Sequence, residues 1–126
     1  MVSNGAINQI YTPFAMKCIE GLTQEQKDTL SFSKEFADMV IYCFIYKNYD
    51  LLTYMVNQGI PFHLLVIRDR LLLNDHSFLL RDKKVIFNKL KLLGILTEDN
   101  THELYRSLPN NKTELAIWIH KQLPKE

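Results

Sequence analysis

A chain of 126 residues with 15 basic and 14 acidic side chains has room for a domain-sized core and carries a formal net charge of only +1. That balance excludes a global field for nucleic acid or an anionic membrane, and a hydrophobic content of 47% excludes a mainly disordered chain. Four glycines and four prolines are few, so regular elements with short connections are expected.

The first ten residues are polar and read as a loose N-terminal segment, with a single helical domain over 11–126. They carry neither the charged nor the apolar region of a secretory signal. No apolar run approaches the ~20 residues that span a bilayer. A cytoplasmic protein without a membrane span is expected, inside a host cell if it is viral or a secreted effector. Cys18 and Cys43 fall in apolar periodic segments and read as reduced core thiols.

Thr12-Pro13 has the form of an N-cap with proline at the first helical position, opening a helix toward Gly21. Thr23 and Gln26 have capping-box spacing, which predicts a second helix to about Leu30. Ser31 or Ser33 caps a third, with Phe36, Val40, Ile41, Phe44 and Ile45 inward. A fourth, Tyr49 to Gln58, buries Leu51, Leu52, Met55 and Val56. It stops at Gly59, with Ile60 folded back on Met55.

After Pro61, a fifth helix from Phe62 to about Leu73 turns Leu64, Leu65, Ile67, Leu71 and Leu72 inward and Arg68, Asp69 and Arg70 outward. Asn74-Asp75 caps a short sixth. Asp82 opens a seventh, with Val85, Ile86, Leu90 and Leu93 inward and a stop at Gly94. The segment Thr97 to Asn100 reads as a loop before a helix capped by Thr101. A last helix runs from Thr113 to Leu123, ended by Pro124. No run has strand alternation bounded by hairpin turns. The fold class is all-α: a helix-turn-helix array or a compact bundle of about seven to nine short helices.

No catalytic constellation is signalled. His63, His76, His102 and His120 show no ligand spacing with one another or with cysteine, so no metal or other cofactor is expected. Asp75-His76 is an acid-base pair in form, yet Asp75 is better explained as a helix cap. Cys43 reads as a small core hydrophobe rather than a nucleophile. Phosphate-binding glycine loops and the nucleophile elbow are absent from the sequence. The chain is not expected to be an enzyme.

Two surfaces are candidates for binding. One is basic: Arg81, Lys83, Lys84, Lys89 and Lys91, with Lys84 and Lys91 seven apart on one helix face and Lys83 to one side. The other is aromatic: Tyr42, Tyr46, Tyr49 and Tyr54 around the turn Lys47-Asn48. The binding residues predicted for a protein partner are Tyr46, Lys47, Asn48, Tyr49, Arg68, Arg70, Arg81, Lys83, Lys84 and Lys91.

The run from Lys47 to Ile60 resembles the second helix of an ankyrin repeat. Asn48-Tyr49-Asp50 stands where that family has His-Leu-Glu, Leu51-Leu52 for its Val-Val, Tyr54-Met55-Val56 for its leucine triplet, and Gly59 for its terminal glycine. Thr12-Pro13-Phe14 resembles the Thr-Pro-Leu that opens a repeat. A second glycine stop follows at Gly94, and the stretch from Pro109 to Leu123 is similar to the same half-repeat. The sequence departs from the family where bulky Cys43 and Phe44 replace the small alanines of the first helix. The resemblance implies a stacked helical surface that binds another protein. A nucleic-acid-binding helical domain using Arg81 to Lys91 is the alternative.

Overall fold

The computed structural model describes the backbone of residues 4–123 and the side chains of residues 12–123. Among them are eight α-helices and one π-helical segment, with no strand, so the all-α expectation holds. No helix among the described residues is long and apolar enough to cross a membrane. The chain divides into two compact units, one up to His63 and one from Leu64 onward.

In the first unit, α1 spans Asn4–Glu20, α2 Gln24–Leu30, α3 Lys34–Ile45 and α4 Tyr49–Asn57. Helix α1 reaches back into the segment expected to be loose. Ile7, Ile10 and Tyr11 already supply three-and-four spacing there, so Pro13 lies inside the helix rather than at its start. Proline has no N–H, so one intrahelical bond is missing at that point. Thr12 therefore caps nothing, and its hydroxyl accepts a hydrogen bond from Asn48 Nδ2 at 2.6 Å.

Thr23 and Gln26 form the capping box of α2, and Ser33 rather than Ser31 caps α3. Asn48 caps α4, its Oδ1 accepting from the Leu51 N–H. Helix α4 ends as its sequence demands. Gly59 takes φ +79°, its N–H reaches the Val56 carbonyl, and the Ile60 N–H reaches that of Met55. Phe36, Val40, Cys43, Leu51, Leu52 and Met55 are essentially fully buried, and Phe36 meets Phe62 edge to face at 5.2 Å. Ile45, expected inward, is exposed.

The second unit begins with α5, Leu64–Val66, which passes directly into a π-helical turn, Ile67–Leu72. There the Leu73 N–H bonds the Arg68 carbonyl five residues back at 2.8 Å. The wider turn brings Ile67, Leu71 and Leu72 to one buried side and leaves Leu65, predicted inward from ordinary helical spacing, exposed. The expected sixth helix is a turn instead. Asn74 Oδ1 accepts from the Ser77 N–H while its Nδ2 donates to the Arg70 carbonyl, and these local bonds replace a helical ladder.

Helix α6, Leu80–Leu92, starts earlier than expected, with the Asp82 carboxylate accepting from the Leu79 N–H. Its core side carries Ile86, Phe87 and Leu90, whereas Val85 faces solvent, contrary to expectation. At about 100° per residue, Phe87 lies roughly 200° from Val85, so burial of Lys83 and Phe87 with Ile86 and Leu90 turns the inward sector away from Val85. Gly94 stops α6 with φ +77°. Helix α7, Glu98–Arg106, is capped by Thr97 rather than Thr101, which is buried one turn later with its hydroxyl on the Thr97 carbonyl. Helix α8, Glu114–Gln122, begins one residue after the expected start, with Thr113 as its N-cap. The expectation that Pro124 ends it lies outside the described residues.

Candidate interaction surface

The cations of α6 divide into two kinds. Lys83 is buried, and its ammonium is hydrogen-bonded to the exposed carboxylate of Asp75 in the preceding turn. The hydrogen bond from Lys83, with its positive charge, holds the Asp75 carboxyl below the usual carboxylate range. A lowered carboxyl pKa stabilises the fold fully above its unfolded value of about 4, and that contribution is lost as pH falls through the lower folded value. Asp75→Asn is therefore expected to be less stable than the parent at pH 7, with the difference shrinking in urea titrations as the pH is lowered through the folded-state value. A difference independent of pH would refute the assignment.

Lys84 and Lys91 take the other arrangement. The Lys84 ammonium lies 5.7 Å from the centre of the Trp118 ring on α8, and that of Lys91 lies 5.8 Å from the ring of Phe87. Phe87 and Trp118 meet edge to face at 5.2 Å, so the two ammoniums cover one aromatic pair. No carboxylate of the described residues lies within salt-bridge distance of Arg81, Lys84 or Lys91. Beside them, Val85 is 54% exposed and Leu92 80% exposed. Seven residues apart, the two lie on one side of α6 with exposed Asn88 between them and exposed Arg81 at the head of the stripe.

The remaining predicted binding residues are more engaged. Arg68 donates to Asp69 through Nε at 2.7 Å and to the Ser107 carbonyl through Nη1 at 3.2 Å, joining the π-turn to the end of α7. Its guanidinium also keeps the Asp69 carboxyl below the ordinary range. Arg70 is exposed. At the α3–α4 turn, Asn48 is buried and uses its amide for the α4 cap and for Thr12. Lys47 is exposed at φ +54°, the left-handed residue that ends α3. Tyr46 packs on Tyr42 at 4.7 Å, and Tyr49 on Phe44 at 6.3 Å. The tyrosines brace the turn, and its one fully projecting charge is Lys47.

Two groupings have no signature in the sequence. Trp118 stands 34 positions after Lys84, and only the α6–α8 packing joins them. Ser31 and His63 also meet across the first unit, Oγ to Nε2 at 2.9 Å, beneath the exposed ring of Phe32, which stacks on His63 at 4.1 Å. The pair has the residue types of a nucleophile and its base but not their roles. Ser31 is fully buried and donates its one proton to the Asp28 carbonyl at 2.5 Å, so His63 Nε2 is the donor to Ser31.

Asp75 is paired with Lys83, and the neighbouring His76 adds a smaller electrostatic pull on its carboxylate. Among the described residues, no three or more His, Cys, Asp or Glu side chains gather where a metal would sit. An open groove of about 600 Å³ borders the turn from Leu108 to Lys112.

The two cysteines are free and differ in setting. Burial pushes the Cys43 thiol up to about 12, whereas Cys18 is exposed on α1. At pH 8 a thiol of that pKa is ionised to only about one part in ten thousand. Native protein is expected to react with one equivalent of a thiol reagent and denatured protein with two, with mass spectrometry placing the first on Cys18. Fast native labelling of Cys43 would contradict this packing.

Compared with known proteins, the chain matches no family model, no curated protein and no solved structure.

Proposed function

We propose that the chain is a non-enzymatic protein–protein interaction module of the adaptor, inhibitor or effector type, docking its partner on the exposed face of α6. One observation carries this reading. Val85 and Leu92 project into solvent from the same side of α6 as Arg81 and beside Lys84 and Lys91, and no carboxylate of the described residues pairs with these three cations. An exposed aliphatic pair rimmed by unpaired charge is how a specific docking site differs from an ordinary solvated helix face. The buried, proton-donating Ser31 supports the non-enzymatic part of the proposal. The two free thiols accord with a cytoplasmic setting.

The α3–α4 pair lends the proposal its ankyrin-like element. Two helices joined by the three-residue turn Tyr46–Asn48, followed by a glycine stop, is the half-repeat form that the sequence from Lys47 to Ile60 resembles. In the second unit the glycine stop recurs at Gly94, but a π-turn and a seven-residue connection precede its helix. The proposed likeness therefore rests on the first unit.

A photo-crosslinking residue at exposed Asn88 tests the function. In cells it is expected to capture a protein, and the adduct should disappear when Lys84→Glu and Lys91→Glu are added. Adducts to nucleic acid, with oligonucleotide affinity falling steeply between about 50 and 200 mM salt, would replace this reading with the nucleic-acid alternative. Adducts indifferent to the charge reversals would remove the α6 face from the site.

A further inference from the structure

The α6 face also constrains what kind of partner fits it. We infer that it receives an acidic amphipathic helix of the partner protein, laid along the stripe from Val85 to Leu92 with its carboxylates on Lys84 and Lys91. This rests on the interaction reading above and narrows it.

The aliphatic anchors are seven residues apart, two helical turns or roughly 10 Å along the axis. Helical ligands present apolar side chains with that repeat, at i, i+3 or i+4 and i+7. The stripe is narrow, two side chains with Asn88 between them, and so matches the ridge of one helix. A bilayer would call for a broad apolar face, which two side chains do not provide. Nucleic acid would place phosphates against the centre of the surface, and here the centre is aliphatic with the cations at its edge.

Charge supplies the rest. Between Leu80 and Leu92 stand five cations and one carboxylate, Asp82, which is taken by the helix start. Lys83 is taken by Asp75. Lys84 and Lys91 rest on aromatic rings with no carboxylate of the described residues in reach. The cation–π contact that each holds is one that a partner carboxylate can replace with a stronger charge-assisted hydrogen bond without repacking the core. When Lys84 swings away, the ring of Trp118 changes its surroundings. Trp118 is the sole tryptophan of the chain, so it reports that event directly.

The test uses the full chain and a synthetic peptide with leucines at i, i+4 and i+7 and glutamates on both flanks. The peptide is expected to change Trp118 emission to saturation, with anisotropy of a labelled peptide giving the same affinity. Lys84→Glu with Lys91→Glu, and separately Leu92→Ser, should each weaken binding about tenfold or more while the helical signal and melting curve persist. Three results would overturn the inference: equal binding of a scrambled peptide, equal binding of a lysine-flanked peptide, or an unchanged affinity in Leu92→Ser. So would tighter binding to phosphatidylserine vesicles or to a single-stranded oligonucleotide. If the peptide fails while Asn88 still crosslinks to a protein, the helical ligand falls and the interaction reading stands. If both fail, both fall.

Discussion

Phe87→Ala is expected to lower the unfolding free energy by about 3–5 kcal/mol, the range for truncating a buried aromatic ring. Phe87 is completely buried and supports the Trp118 ring edge to face at 5.2 Å. Removing it opens a cavity that α6 and α8 cannot fill without moving together. Native domains hold only about 5–15 kcal/mol in total, so the loss is a large share of what keeps the fold. Chemical denaturation followed by Trp118 fluorescence and by helical signal measures it, and both probes should shift. A loss under 1 kcal/mol would show that Phe87 is not a core residue. Phe87→Leu, which keeps much of the apolar volume, should recover more than half of the stability.

Asn48→Ala is expected to cost about 2–3 kcal/mol, although its position on a turn invites a prediction near zero. Loss of an N-cap side chain accounts for about 1 kcal/mol. The rest comes from the lost bond to Thr12, which ties α4 to α1. Asn48→Ser separates the parts, because serine caps the helix but is too short to reach Thr12. Its loss should be intermediate. Combining Asn48→Ser with Thr12→Val should then add little, since both remove the same contact. If Asn48→Ala stays within 0.5 kcal/mol of the parent, the side chain is free for the binding role first assigned to it.

Local chemistry made much of the fold legible. The capping box at Thr23 and the stops at Gly59 and Gly94 are short-range, and the structure places them where the residues indicate. Errors arose where two local signals competed. Thr97 and Thr101 both have N-cap character, and the acidic run between them reads as a loop although it makes a good first helical turn. Pro13 reads as a beginning because proline favours the first turn, yet α1 absorbs it. The π-turn after Val66 has no sequence signature, and it reversed the side on which Leu65 was expected.

The surface was legible to a lesser degree. Spacing alone gave the shared face of Lys84 and Lys91. The burial of Lys83 depends on Asp75, eight residues away across a turn, and the rings beneath Lys84 and Lys91 depend on how α6 packs and on α8. The aliphatic part of the surface is not legible, because the spacing of Val85 with Ile86 and Leu93 suits the core equally well.

The two glycine stops share one backbone geometry but differ in their room for change. A side chain at Gly94 would project into open space and meet only the strain of a left-handed backbone. At Gly59 it would also come within 3.3 Å of the Gln24 side chain, whose amide donates to the Gly59 carbonyl at 3.1 Å. One glycine is held by its own turn, the other by its turn and by a neighbouring helix together. In a drifting lineage, Gly94 is then the position where asparagine would first gain a foothold, while Gly59 and Gln24 would change only as a pair.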